Sequence, residues 1–276
     1  MHRLASTLCL SFALVSSAPL EAQPVRYVRY QDASGIAYGR LEGDQIAQLR
    51  GAPWVDATTT GRRVSRAQVR LLAPATPAKV IAVGLNYKSH LGERPSATYP
   101  GLFAKFPTSI IADGDTVRLP VDAQNVHYEG EMVLVIGKRA SNVSPADARS
   151  VVFAVTVGND VSERDWQKSD LQWFRAKASD TFGPLGPVLV TGVNYDDLLL
   201  QTRLNGAVVQ SQRTKDLIFD VPTIVSYVSR YVTLEPGDVI YTGTPGTTRQ
   251  MKAGDVVEVE LEQVGVLRNP VAQVKK

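Results

Sequence analysis

The segment VHYEGEMVLVIG sets the hardest constraint on this chain, because MVLVIG is uninterruptedly apolar and reads as a buried strand, yet Glu129 and Glu131 stand at its head. Alternate residues of an extended strand project to one face, so the two carboxylates converge there, with His127 two positions earlier on the same side. Two buried like charges repel, and each is costly to desolvate, so either one is protonated or a cation neutralises both. The alternative is an exposed edge strand that carries both glutamates on its polar face.

The rest of the inventory narrows the cation. The opening MHRLASTLCLSFALVSSAPLEAQ has a basic Arg3, an uncharged stretch from Leu4 to Leu20 and small residues ending at Ala22, the pattern of a secretory signal peptide over residues 1–22. Its apolar part is too short and too rich in Ser and Thr for a membrane span. The expected location is periplasmic or secreted, or cytoplasmic if the signal is not used. Cleavage after Ala22 removes the single cysteine, Cys9, together with His2, which leaves two histidines. Disulfides, thiolate nucleophiles, Cys-rich zinc sites and three-His zinc sites are then excluded, and any metal must be held mainly by oxygen. Basic and acidic residues number 30 and 27 without long blocks, so nucleic acid is not an expected partner. No GxGxxG follows a strand and there is no phosphate loop, which argues against a nucleotide cofactor.

Many short strands punctuated by turns, with few helices, predict a β-rich α+β fold. Residues 23–75 read as a small β-rich N-terminal domain, with breaks at Ser-Gly and Glu-Gly, and Pro74 and Pro77 mark the connector to a larger domain over 76–276. There KVIAVGLNY predicts a buried strand ending at Gly84, and KSHLGE a helical turn. TSIIADGDTVRLP predicts a strand, an Asp-Gly turn and another strand. A capped helix is expected to start at Ser144-Pro145, and PTIVSYVSRYVTL has helical spacing. The strand VVFAVTVGND delivers Asp160 just beyond its apolar run, past Gly158, which permits a bend. Three carboxylates with room for water or substrate oxygens suit Mg²⁺, Mn²⁺ or Ca²⁺ better than zinc or copper. Taken alone, Asp160 also fits a plain turn.

The strings IAVGLNYKSHLGE, KFPTSIIADGD, VHYEGEMVLVIGKRA, VTVGNDVSERDWQ, RAKASDTFGPLGP, LNGAVVQ and LEPGDVIYTGTPGT occur in the order seen in the fumarylacetoacetate hydrolase family, and the chain resembles that family from about Lys79 to its C-terminus. The resemblance implies a mixed β-sandwich roll, a divalent ion (Mg²⁺ or Mn²⁺, with Ca²⁺ admissible) on Glu129, Glu131 and Asp160, and an acid/base pair at His90 and Glu93. The spacing of three would put that pair on one face of a helical turn, with the carboxylate raising the pKa of His90. It also implies an active-site lysine at Lys177, substrate contacts from Arg164 and Gln167, and a carboxylate-binding loop at Thr244. On a helix, Asp160, Arg164 and Gln167 would share one face. His127 has no place in the family's ligand set and is expected to support or pack.

The implied substrate is a 2-oxo acid or 1,3-dicarbonyl compound that chelates the metal. Hydrolytic C–C cleavage of an acylpyruvate-like molecule through an enolate is the first expectation. Tautomerisation, isomerisation or decarboxylation of a related 2-oxo diacid comes second, and a non-catalytic small-acid binder is the competing class. The family also implies a homodimer.

Overall fold

The computed structural model describes residues 23–274, so the expected signal peptide lies outside the described residues. Two sheets form the frame. The larger is mixed and runs Thr59–Ser65, Gln45–Leu49, Gly35–Glu42, Val25–Asp32, Gly183–Thr191, Val152–Asn159, Gly130–Ile136, Val239–Tyr241, Val80–Gly84, Gly101–Lys105. The smaller has five strands, Ala207–Arg213, Leu199–Leu204, Val256–Leu261, Gly265–Gln273 and Val117–Leu119. Val25–Asp32 pairs antiparallel with Gly183–Thr191, which makes the N-terminal strands an extension of the larger sheet. Among the described residues no helix is long and apolar enough to cross a membrane.

Gly130–Ile136 is buried along its whole length. Met132, Leu134 and Ile136 enter a core with Leu200, Val259 and Leu261 of the smaller sheet, while Val133 and Val135 pack on the other face with Leu185, Leu189 and Tyr241. That two-sided burial explains the unbroken apolar run. Helix Val221–Tyr231 closes part of the first core with Val221, Ile224, Val225 and Val228. Asp220 caps it by accepting from the Thr223 N–H, and Pro222 stands in its first turn.

Three local expectations change. The segment after Ser144 is a turn followed by a 3-10 helix, Ala148–Val151, because the strand resumes at Val152 before a full α-helical turn can propagate. Ile110–Ile111 and Val117–Leu119 flank the expected turn, but they pair with different strands, Gly183–Pro184 and Val271–Gln273. Gly158 serves packing, not a bend: a Cβ there would lie 2.4 Å from Tyr241 Cε1 and 2.5 Å from Val133 Cγ2.

Gly130, between the two glutamates, is constrained in the same way. A Cβ would meet Thr202 Oγ1 at 2.1 Å and Val259 Cγ1 at 2.9 Å, both from the opposing sheet. Gly130→Ala is expected to lower unfolding free energy by about 1–3 kcal/mol through overpacking. The urea midpoint reads this, and an unchanged midpoint would show that the sheets separate freely at this point.

Candidate active site

Strand pairing builds the centre. Gly130–Ile136 lies antiparallel to Val152–Asn159 with Glu131 opposite Gly158, and the Asp160 N–H donates to the Glu129 carbonyl at 2.8 Å, so one more rung holds the two strand ends together. Glu129, Glu131 and Asp160 are all buried, and one carboxylate oxygen from each lies within 4.8 Å of the others.

The three carboxylates are not equivalent. Burial by itself would raise Glu129, but the Arg164 and Lys177 charges outweigh it and hold the carboxyl well below its usual range. Arg164 donates to Glu129 Oε1 at 2.5 Å, and Lys177 Nζ donates to Glu129 Oε2 and Asp160 Oδ2, each at 2.6 Å. Burial, reinforced by the neighbouring Asp160 and Glu129 charges, pushes Glu131 well above the carboxylate range. Its hydrogen-bond donor is the backbone N–H of Gly243, at 2.7 Å. A buried carboxylate next to two others and paired with a neutral donor is what a hard divalent cation relieves, so this all-oxygen donor set fits Mg²⁺, Mn²⁺ or Ca²⁺.

His90 reaches the cluster from the short helix Lys88–Leu91. Asn86 anchors the entry to that helix: its Nδ2 donates to the Phe219 and Thr242 carbonyls, and its Oδ1 accepts from the Phe219 N–H. The Gly246 carbonyl lies 2.5 Å from His90 Nδ1, which must therefore carry the hydrogen, and Nε2 faces Glu129 Oε1 at 3.4 Å. The Gly246 N–H donates to Ser89 Oγ at 2.9 Å, so this turn grips two successive residues of the helix. A cavity of about 930 Å³ opens over the cluster. Phe103 and Trp173 supply its aromatic wall, and His90, Arg164, Gln167 and Lys177 contribute polar groups.

The structure brings together His90, Glu129, Glu131, Asp160, Arg164 and Lys177. Glu93 departs from the expected pairing. The helix ends at Leu91, Gly92 takes φ +61°, and Glu93 is exposed at the cavity rim, so the carboxylate beside His90 is Glu129. Asp160 also leaves the expected helical face: the helix begins at Arg164, whose Nη1 donates to Gln167 Oε1 at 2.9 Å, whereas Asp160 belongs to the preceding strand end. Thr244 is buried, and its hydroxyl donates to the Gly130 carbonyl at 2.8 Å, which ties the Gly/Pro loop to the Glu-Gly-Glu backbone.

Residue-level reading missed two further groups. Lys105 Nζ donates to Asp160 Oδ1 at 2.6 Å and to the carbonyl of Lys177. Gln210 accepts from the Gly130 N–H and donates to Thr244 Oγ1 and the Pro245 carbonyl. Both stand inside recognisable strings, KFPTS and LNGAVVQ, but no local pattern marks either as buried.

The profile of the fumarylacetoacetate (FAA) hydrolase C-terminal region matches residues 79–272, and that of the Rv2993c-like N-terminal region matches 25–74. The chain belongs to the fumarylacetoacetate hydrolase family. Human mitochondrial oxaloacetate tautomerase FAHD2A is 43% identical over 221 residues, which cover 75% of this chain and 70% of the human one. The crystal structure of 2-hydroxyhepta-2,4-diene-1,7-dioate isomerase from Mycobacterium marinum matches with a TM-score of 0.85 at 42% identity, covering 91% of this chain and 100% of that one. Maleylpyruvate hydrolase from Sphingobium sp. SYK-6, in complex with manganese(II) and pyruvate, matches with a TM-score of 0.74 at 30% identity, again covering 91% and 100%. These fumarylacetoacetate hydrolase family relatives are enzymes, and they span tautomerase, isomerase and hydrolase chemistry.

Proposed function

We propose that this chain is a divalent-metal-dependent enzyme that moves a proton on a 2-oxo acid, as a keto–enol tautomerase or double-bond isomerase. The observation that carries the reading is the fixed tautomer of His90. With Nδ1–H held by the Gly246 carbonyl, Nε2 is the ring nitrogen that exchanges a proton with substrate, on the cavity side. A proton taken from the carbon next to a 2-oxo group arrives 3.4 Å from Glu129 Oε1, which stabilises the imidazolium formed. The electron pair moves onto the 2-oxo oxygen, and the Lys177 ammonium, between Glu129 and Asp160, is placed to stabilise that charge or to return a proton. Arg164 and Gln167 are assigned to the substrate carboxylate. A hard divalent cation on Glu129, Glu131 and Asp160 would draw electron density from a chelating 2-oxo carboxylate.

Hydrolytic C–C cleavage is the second reading. It is favoured by Glu93, which lines the same cavity and could serve a water, and by the likeness to maleylpyruvate hydrolase. The exposure of Glu93 and the higher identity to the tautomerase and the isomerase put proton transfer first.

The test strips the protein with a chelator, reloads Mg²⁺ or Mn²⁺, and follows enol-oxaloacetate conversion, oxaloacetate decarboxylation and acylpyruvate cleavage in parallel. Tautomerisation is expected to be the fastest of the three and to be lost on stripping. Dominant acylpyruvate cleavage would establish the second reading, and equal rates with and without metal would remove the metal from the proposal.

A further inference from the structure

His127 shares the strand parity of the glutamates but donates nothing to them. Its ring lies half-buried between two polar neighbours, with Nε2 at 2.8 Å from Asn125 Oδ1 and Nδ1 at 2.9 Å from Thr248 Oγ1. The directions of these bonds can be worked out. Asn125 Nδ2 faces Asp165 Oδ1 at 3.3 Å, which fixes the amide so that its oxygen points at His127, and Nε2 must therefore carry a hydrogen. Thr248 Oγ1 also accepts from Arg164 Nη2 at 2.9 Å. Were Nδ1 a donor as well, one hydroxyl oxygen would accept from two cations, the imidazolium and the Arg164 guanidinium. The consistent assignment is a neutral ring whose Nδ1 accepts from the Thr248 hydroxyl, while that oxygen accepts from Arg164.

The same Arg164 nitrogen donates to Glu129 Oε1. We infer that His127 is a positioning residue that acts through the Thr248 hydroxyl to hold the Arg164 guanidinium against Glu129 and over the cavity. The chain of donors runs from Arg164 to Thr248, from Thr248 to the imidazole, and from the imidazole to Asn125. Without Thr248 the guanidinium keeps Glu129 and Gln167 but loses the third point that fixes its plane, so its carboxylate-binding fork would lose its fixed aim. This rests on reading the cavity as an active site for 2-oxo acids. The backbone of His127 has a separate task, pairing with Ser162 and bridging to Gln250, which side-chain substitution leaves intact.

The experiment compares His127→Leu, Thr248→Val, the double variant and His127→Asn, whose amide oxygen can stand where Nδ1 accepts. Three readouts are taken on Mn²⁺-loaded protein: the pyruvate dissociation constant, the split between KM and kcat for oxaloacetate, and the crystallographic position of Arg164. His127→Leu and Thr248→Val are each expected to weaken pyruvate binding and raise KM about tenfold, with a smaller change in kcat. The double variant should be no worse than either single, since both cut one chain. His127→Asn should recover most of the affinity, and the Arg164 guanidinium should rotate out of its wild-type plane in the Leu and Val variants alone. An Arg164 that stays in place with unchanged pyruvate affinity in both, or losses that multiply in the double variant, would overturn the inference. If the wild type binds pyruvate but turns over no 2-oxo acid, the proposed reaction fails while affinity and Arg164 position still decide the role of His127. If it binds no pyruvate, the position of Arg164 decides alone.

Discussion

Lys177→Met is expected to lower kcat about a thousandfold while leaving metal uptake intact or tighter. Lys177 Nζ lies 2.6 Å from both Glu129 Oε2 and Asp160 Oδ2, and 4.8 Å from the centre of the Phe103 ring, at the floor of the cavity. Burial works against its charge, but the Asp160 and Glu129 charges outweigh that and raise its pKa, so it remains an ammonium through the neutral range. Methionine matches the lysine stem as far as Cε and removes the terminal ammonium with its charge and donors. Glu129 keeps Arg164 and Asp160 keeps Lys105, so neither carboxylate loses its last cation, and Glu129 and residue 177 itself line the cavity, which gives the vacated ammonium position an opening to solvent. The protein should therefore fold. Without the competing positive charge the acidic cluster attracts a divalent ion at least as strongly, whereas the developing oxyanion loses its stabilising donor. Calorimetric Mn²⁺ titration and steady-state kinetics on one preparation separate the two effects. A fall in Mn²⁺ affinity that accounts for the whole loss of rate would make Lys177 a support of the metal site and not a participant in the reaction.

How legible these groups are in the sequence depends on how local their placement is. Glu129 and Glu131 can be read because strand parity is a local rule, and burial of the run behind them follows from its composition. Asp160 can be read because it ends a strand. Helix Val221–Tyr231 announces itself through Asp220, Pro222 and its periodicity. Lys177, His90 and Arg164 gain roles only from the resemblance, since each is locally an ordinary polar residue. Helical spacing misplaced Glu93 because one residue, Gly92 at φ +61°, ends the helix before the rule can apply. Nor does any window of the sequence show that Val25–Asp32 extends the main sheet, because its partner Gly183–Thr191 is a long way down the chain. Gln210 and Lys105 were missed for the same reason: the burial of each is created by elements that fold in from elsewhere.

Lys105→Met is expected to destabilise the fold by about 3–5 kcal/mol, far more than the matching change at Lys177. The two lysines approach opposite oxygens of Asp160, Lys105 from Oδ1 and Lys177 from Oδ2. Both are buried, and what separates them is the cavity, which Lys177 lines and Lys105 does not. The Lys105 side chain is 0% exposed and takes no part in lining the cavity. Burial pulls its ammonium below the usual lysine range against the attraction of Asp160. Its donors hold the Asp160 carboxylate and the carbonyl of Lys177, with the Val161 carbonyl at 3.5 Å, so one nitrogen joins the strand end that presents Asp160 to the helix that presents Lys177. Removing it leaves an anionic oxygen and a helix-end carbonyl buried where no water can replace the lost bonds. Urea unfolding of the two methionine variants side by side measures the contrast. Equal midpoints would mean that water reaches behind Asp160 and that the sealed tether described here does not exist. In a partly folded Lys105→Met protein, Asp160 and the end of the Lys177 helix should loosen together, which hydrogen exchange at the Val161 and Ala178 amides would report as a joint loss of protection.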